Sequence, residues 1–147
     1  MTAVHSTPPL CVADLMTLEP IVVRASDPVA FAETVLRDFR ISGLPVVDDS
    51  ARLVGVFSET DSLFLKAPSV SALLRGKVED TRVEEVMSRP PITVNSLTSI
   101  EAAAMMMIEH SVHRLVAVDH EGRPLGVLSA MDFVRLAAED VGSRQGS

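Results

Sequence analysis

Two short motifs carry the residues best suited to chemistry. Ser58-Glu59-Thr60-Asp61 and Ser129-Ala130-Met131-Asp132 each set a hydroxyl three positions ahead of a carboxylate. That is the spacing of a helix capping box, in which each side chain satisfies a backbone N–H of the first turn. It is equally a spacing for ligand recognition. A helix start presents free N–H groups and the positive end of the helix dipole, which suit a phosphate. A carboxylate beside it can accept hydrogen bonds from the two vicinal hydroxyls of a ribose. Gly55 and Gly126 stand three residues ahead of each serine, and a missing Cβ there would let a flat ring approach the backbone. Capping and ligand binding are not exclusive, and spacing alone does not choose between them.

The other reactive side chains form weaker patterns. His113-Arg114 pairs two donors at the mouth of an expected strand, which suits an anion as well as plain solvent. His110, His113 and His120 lack the spacing of a helix-borne metal pair. Cys11 is the single cysteine, so an intrachain disulfide and a multi-thiolate metal site are excluded. With no base or cation identifiable beside it, Cys11 reads as inert. Met105-Met106-Met107 reads as adaptable core filling. Glu33 and Asp38 fall on a polar helix face and read as solvated. No nucleophile with a coupled base, phosphate-binding loop or HExxH sequence occurs. Nothing therefore predicts catalysis.

The elements that position these motifs repeat. Gly55-Val56-Phe57-Ser58 returns as Gly126-Val127-Leu128-Ser129. The offset of 71 residues, from Gly55 to Gly126, also carries Met16 onto Met87, Pro20 onto Pro91, Ile21 onto Ile92, Asp48 onto Asp119 and Arg52 onto Arg123. No gap interrupts the match. Each copy reads as a β-α-β-β-α unit. In the first, Ile21-Val22-Val23 is a strand, and Ser26-Asp27-Pro28 caps a helix carrying Val29, Ala32, Val35, Leu36 and Phe39 at helical spacing, stopped at Gly43. Leu44–Val47 and Leu53–Phe57 form a hairpin, and Ser58 opens the last helix. The second copy has Ile92-Thr93-Val94, a helix from Ile100 to Ile108, a hairpin of Leu115–Val118 and Leu125–Leu128, and a helix from Asp132 to Ala138. The chain thus divides into an N-terminal tail (1–11), a first repeat (12–66), a linker (67–82) with a short helix around Val70, Leu73 and Leu74, a second repeat (83–138) and a frayed C-terminal tail (139–147).

Composition bounds the rest. At 147 residues, 47% of them hydrophobic and with neither Trp nor Tyr, the chain is an aliphatic globular one. Each copy alone is near the size at which a core is marginal, so a core shared between copies is expected. The net charge of −7 and the lack of a basic run disfavour a nucleic-acid surface. No stretch of about 18 apolar residues exists to cross a membrane. The lone cysteine fits a reducing, cytoplasmic setting.

Taken together, Leu44-Pro45-Val46-Val47-Asp48, the Gly-x-x-Ser-x-x-Asp motifs and their duplication closely resemble the cystathionine-β-synthase (CBS) domain, over about residues 12–138. Two such units resemble the tandem arrangement called a Bateman module. The resemblance implies an α/β (α+β) fold of two repeats about a pseudo-two-fold axis, with clefts that bind adenosine-containing ligands: AMP, ADP or ATP, or S-adenosylmethionine. It implies that Asp61 and Asp132 bind ribose and that Ser58 and Ser129 lie near ribose or phosphate. Ile92 and Val112 would wall the cleft of Asp61, with His113 and Arg114 facing phosphate. Ile21 and Ile41 would wall the cleft of Asp132. Gly43 stands where the second repeat has Arg114, so the Asp132 cleft is expected to lack that cation and to take a less charged ligand or none. Val116-Ala117 replaces the Pro-Val of the family pattern. The function implied is regulatory: ligand binding shifts a conformational equilibrium and signals to an unnamed protein in trans. A homodimer is expected, packed through Leu63, Phe64 and Leu65 and through Phe133, Val134, Leu136 and Ala137. The competing reading is a ligand-independent interaction module in which both motifs are only caps.

Overall fold

The computed structural model describes residues 10–18, 20–74 and 77–145. The expected N-terminal tail therefore lies outside the described residues up to position 9. Seventeen residues after the start of α1 (Val12–Leu15), helix α2 (Val29–Phe39) begins. Between them come two short strands, β1 (Thr17–Leu18) and β2 (Val23–Arg24). The hairpin β3 (Gly43–Val47) and β4 (Leu53–Ser58) leads into α3 (Glu59–Leu65). A helix α4 (Pro68–Leu74) and a 3₁₀ turn (Lys77–Asp80) bridge to the second copy. That copy runs α5 (Val83–Val86), β5 (Thr93–Val94), α6 (Ile100–His110), β6 (Arg114–Val118), β7 (Pro124–Ser129) and α7 (Ala130–Gln145).

The strands form two sheets. In one, β2 lies parallel to β3, and β3 antiparallel to β4. In the other, β5 lies parallel to β6 and β6 antiparallel to β7, with β1 added on the far edge of β7. β1 comes from the opposite copy. Its mirror image also exists: Ser88 and Val56 exchange two backbone hydrogen bonds, at 2.9 and 3.0 Å.

The two opening helices cross over in the same way. Val12 and Ala13 donate their N–H groups to Thr98 and Ser96 of the second copy, at 2.9 and 2.8 Å. Val83 and Glu84 donate to Asp27 and Ala25 of the first, at 2.9 and 2.9 Å. Two apolar cores result, in place of the single shared one expected from length. Val83 and Met87 complete the first, with Val29, Leu36, Leu44 and Phe57. Val12 completes the second, with Val94, Met107, Leu115 and Leu128. Val12 and Val83 are fully buried, each worth about 1.5–3 kcal/mol. Each copy thus completes its neighbour's core.

The missing Cβ atoms of Gly55 and Gly126 serve this exchange. A Cβ on Gly126 would lie 2.7 Å from the Thr17 carbonyl oxygen and 2.7 Å from Met16 Sδ; one on Gly55 would lie 2.5 Å from Met87 Sδ and 3.0 Å from the Ser88 carbonyl oxygen. The space read as room for a flat ring is filled by the crossing segments.

Several local expectations change. The strand at Ile21-Val22-Val23 shortens to Val23–Arg24, leaving Ile21 and Val22 exposed. Neither Ser26 nor Asp27 caps α2. Pro28 holds the cap position, and the Asp27 carboxylate instead takes the Arg24 N–H at 2.8 Å. Helix α2 ends on Arg40 in a left-handed conformation (φ 54°), as α6 ends on Ser111 (φ 53°). Gly43 instead opens β3. The last helix continues seven residues past Ala138, to Gln145, where a frayed tail was expected. Exposed polar residues can extend a helix without any apolar periodicity to announce it.

Candidate functional site

Both Ser-x-x-Asp motifs sit where a strand turns into a helix; the first forms the full capping box, and in the second the Asp132 carboxylate takes the Ser129 N–H in the same way. The Ser58 N–H and Oγ donate to Asp61 Oδ2 at 2.9 and 3.1 Å. The Ser129 N–H and Oγ donate to Asp132 Oδ2 at 2.7 and 3.1 Å. The other carboxylate oxygens differ. Asp61 Oδ1 accepts the Ser88 hydroxyl at 2.9 Å. Asp132 Oδ1 faces Arg135 Nη1 at 3.6 Å. The first N–H of each helix is also tied down: Glu59 donates to the Ser42 carbonyl at 2.9 Å, and Ala130 to the His113 carbonyl at 2.8 Å.

Two cavities open at these junctions. The first, of about 400 Å³, brings Ser58, Glu59 and Thr60 of the first copy against Ser88, Pro91, Ile92, Val112, His113 and Arg114 of the second. Five of the six residues expected in this cleft line it. Asp61 does not; it stands behind Ser58 and Ser88, held by both. The second cavity, of about 770 Å³, brings Ile21 and Ile41 of the first copy against Ser129, Met131 and Asp132 of the second. All four residues expected there line it.

Ile92 and Ile41 are set by their neighbours. Ile92 O accepts the Val116 N–H at 3.2 Å, a bond that Pro45, the matching residue in the first copy, has no hydrogen to make. Ile41 follows the left-handed Arg40, and its N–H returns to Leu36 O at 3.0 Å. The departure at Val116-Ala117 therefore adds an anchor for one cleft wall.

The charge balance of the two clefts reverses the expected one. The Asp132 cleft is lined by Arg40, Arg114 and Arg135, so it is the more cationic. Counterparts at the 71-residue offset explain this: Arg40 matches Ser111, and Arg135 matches Phe64. Glu59, matching Ala130, lines both clefts and so does not separate them. Arg114 does not belong to one cleft. It lines both, as do Ser42, Glu59 and His113. Its guanidinium donates to Ser42 Oγ. Partial burial holds its pKa below the ordinary arginine value, and the Glu59 carboxylate offsets part of that fall. Arg40 at a helix end and Arg135 within a helix carry no local signal, because cations on helices read as solvated. The 71-residue comparison that exposed Gly43 against Arg114 holds the signal for both.

Met107 is buried, Met106 packs against the second core, and Met105 is exposed. Among the described residues no group of three or more His, Cys, Asp or Glu is placed to hold a metal ion. No helix among them is long and apolar enough to cross a membrane.

Comparison with known proteins supplies the wider setting. The CBS domain family model matches residues 12–61 and 83–139. Inosine-5'-monophosphate dehydrogenase of Mycobacterium tuberculosis is 33% identical over 122 residues, covering 82% of this chain and 21% of the dehydrogenase. The chloroplastic CBS domain-containing protein CBSX2 of Arabidopsis thaliana is 31% identical over 139 residues, covering 80% of this chain and 58% of the relative. The chain thus spans about a fifth of the first and under two thirds of the second. Among solved structures, CBSX2 in complex with AMP is 34% identical, with a TM-score of 0.77 over 88% of this chain and 96% of that one. The CBS domain pair of protein MJ0100, in complex with 5'-methylthioadenosine and S-adenosyl-L-methionine, is 26% identical, with a TM-score of 0.72 over 86% and 98% of the two chains.

Proposed function

The chain belongs to the CBS domain family, and from that premise we propose that it is a regulatory module whose two clefts bind adenosine-containing ligands. One observation carries the reading. Residues from opposite copies, Ser58 and Thr60 on one side and Ile92 and Val112 on the other, converge on a single cavity of about 400 Å³. A helix start offers the anion site and the aliphatic walls offer a slot for a base. A 34% identical chain carries AMP, which supports the same ligand class here. The three arginines of the Asp132 cleft make it the stronger phosphate site of the two, most of all for a polyphosphate such as ATP. The ligand acts by favouring one arrangement of the two copies, read by a partner protein in trans. We place the protein in the cytosol, as a homodimer, with no catalytic step of its own.

Calorimetric titration with AMP, ATP and S-adenosylmethionine tests this. Binding of at least one is expected, and silence for all three refutes the reading. In the Asp61→Ala variant, Ser58 and Ser88 at the cavity wall lose the charge-assisted bonds that hold them, each of about 1.5–3 kcal/mol, and AMP should weaken roughly 10- to 100-fold at that cleft.

A second reading has its own support. Asp61 is already engaged on both oxygens, by Ser58 and Ser88, as a purely structural residue would be. If both motifs are only caps, Ser58→Ala lowers stability by about 1 kcal/mol and leaves every nucleotide affinity unchanged.

A further inference from the structure

Positions 43 and 114 occupy the same place in the two copies, and the fold brings them together. A Cβ on Gly43 would lie 2.6 Å from Nη1 of Arg114 and 3.1 Å from its Cζ. Residues related by a two-fold rotation can touch only across the axis. The Arg114 guanidinium therefore lies at the pseudo-axis, in space that a side chain at position 43 would fill. It lines both cavities, at the wall they share with Ser42, Glu59 and His113.

We propose that Arg114 is a single cation shared by the two clefts, so that a phosphate in one weakens binding of a phosphate in the other. This rests on the reading of both clefts as adenosine-phosphate sites. A guanidinium grips one phosphate through a fixed pair of N–H donors. A phosphate monoester carries about −1.5 to −2 charges at pH 7, more than one arginine neutralises. The second anion to arrive then meets a spent cation, the first phosphate and the Glu59 carboxylate. Arg40 and Arg135 serve only the Asp132 cleft, so the first anion settles there and the Asp61 cleft feels the loss. A ligand without phosphate draws nothing from Arg114 and leaves the clefts independent. Coupling between binding sites typically spans about 5- to 150-fold, and the effect expected here is at least fivefold.

The test is calorimetry on the whole chain with AMP and with adenosine. AMP affinity of the Asp61 cleft is measured in the unaltered protein and in Asp132→Ala, at AMP concentrations that leave the weakened Asp132 cleft unfilled. AMP should bind the Asp61 cleft at least fivefold more tightly in the variant, while adenosine shows no difference. Gly43→Ala should expel the guanidinium from the axis and bring the coupling within twofold. Should that variant not fold, Arg114→Gln should abolish the coupling, weaken AMP in both clefts and leave adenosine affinity unchanged. Equal AMP affinity of the Asp61 cleft with its neighbour filled or empty overturns the inference alone, as does equal coupling with adenosine. No binding of AMP or adenosine at either cleft overturns the reading of the clefts, and this inference with it.

Discussion

Replacing Gly126 by alanine tests whether the crossing segment holds the fold together. The new Cβ would lie 2.7 Å from Met16 Sδ and 2.7 Å from the carbonyl oxygen of Thr17. The thioether sits on a flexible side chain and can swing aside. The carbonyl belongs to the strand that pairs Thr17 with Val127 and Leu18 with Gly126, so it moves only if that strand lifts. Overfilling of this kind costs about 1–3 kcal/mol. In a chain of this length each kcal/mol lowers Tm by roughly 2–4 °C, so a fall on the order of 2–12 °C is expected. Gly142→Ala is the matched control. Its Cβ meets nothing within 4 Å on an exposed turn of α7, and removing a helical glycine should raise stability by about 0.5–1 kcal/mol. The chain has no Trp or Tyr, so calorimetry or far-ultraviolet circular dichroism is the assay. A Gly126→Ala protein melting within about 1 °C of the unaltered one would refute the packing account of this glycine.

Two further outcomes follow from other parts of the molecule. Backbone N–H groups of Glu121 and Arg123 donate to Asp119 Oδ1 at 2.8 and 3.0 Å; the bond from Arg123 leads in holding its pKa below the ordinary carboxylate value. A depressed carboxylate contributes stability that is complete above its unfolded-state pKa and lost as pH falls through the folded one. Asp119→Ala should therefore lower Tm at pH 7 by more than it does below the ordinary carboxylate range, and an equal loss at both would contradict this. Leu63, Phe64 and Val134 are 67%, 63% and 57% exposed, an apolar surface that supports the proposed homodimer. Light scattering should give twice the chain mass, and Phe64→Ser should shift it toward the monomer; a monomeric unaltered protein would count against the dimer.

What the sequence made legible was whatever repeats or alternates locally. The 71-residue offset announced two copies, and the Ser-x-x-Asp spacing announced both helix starts. The residues facing each motif from the opposite copy came only from the family resemblance, because no local pattern says which halves meet. The same gap hid the crossing segments. Thr17–Leu18 and Val12–Leu15 are too short for periodicity to identify their partners, so the sequence leaves the space over Gly55 and Gly126 looking open to a ligand. Leu65 belongs to the first core and Phe133 packs against the second, not to the dimer surface expected of them; a helical stripe does not state which of its apolar residues faces inward. Arg40 enters the Asp132 cleft from a left-handed helix end, a conformation that no propensity assigns to arginine.

The two copies differ most tellingly at a place where both cannot carry arginine. Ser58 and Ser129, or Asp61 and Asp132, stand in separate clefts and can be duplicated freely. Positions 43 and 114 face each other, and a Cβ at one already falls within 2.6 Å of the guanidinium of the other. Arginine at both would force two like charges into the space of one, in a partly buried site where desolvation already lowers the pKa of the single guanidinium. Glycine at both would leave the Asp61 cleft with His113 alone facing Glu59. One glycine and one arginine is the arrangement that fills the axis once, and it makes the clefts share a charge.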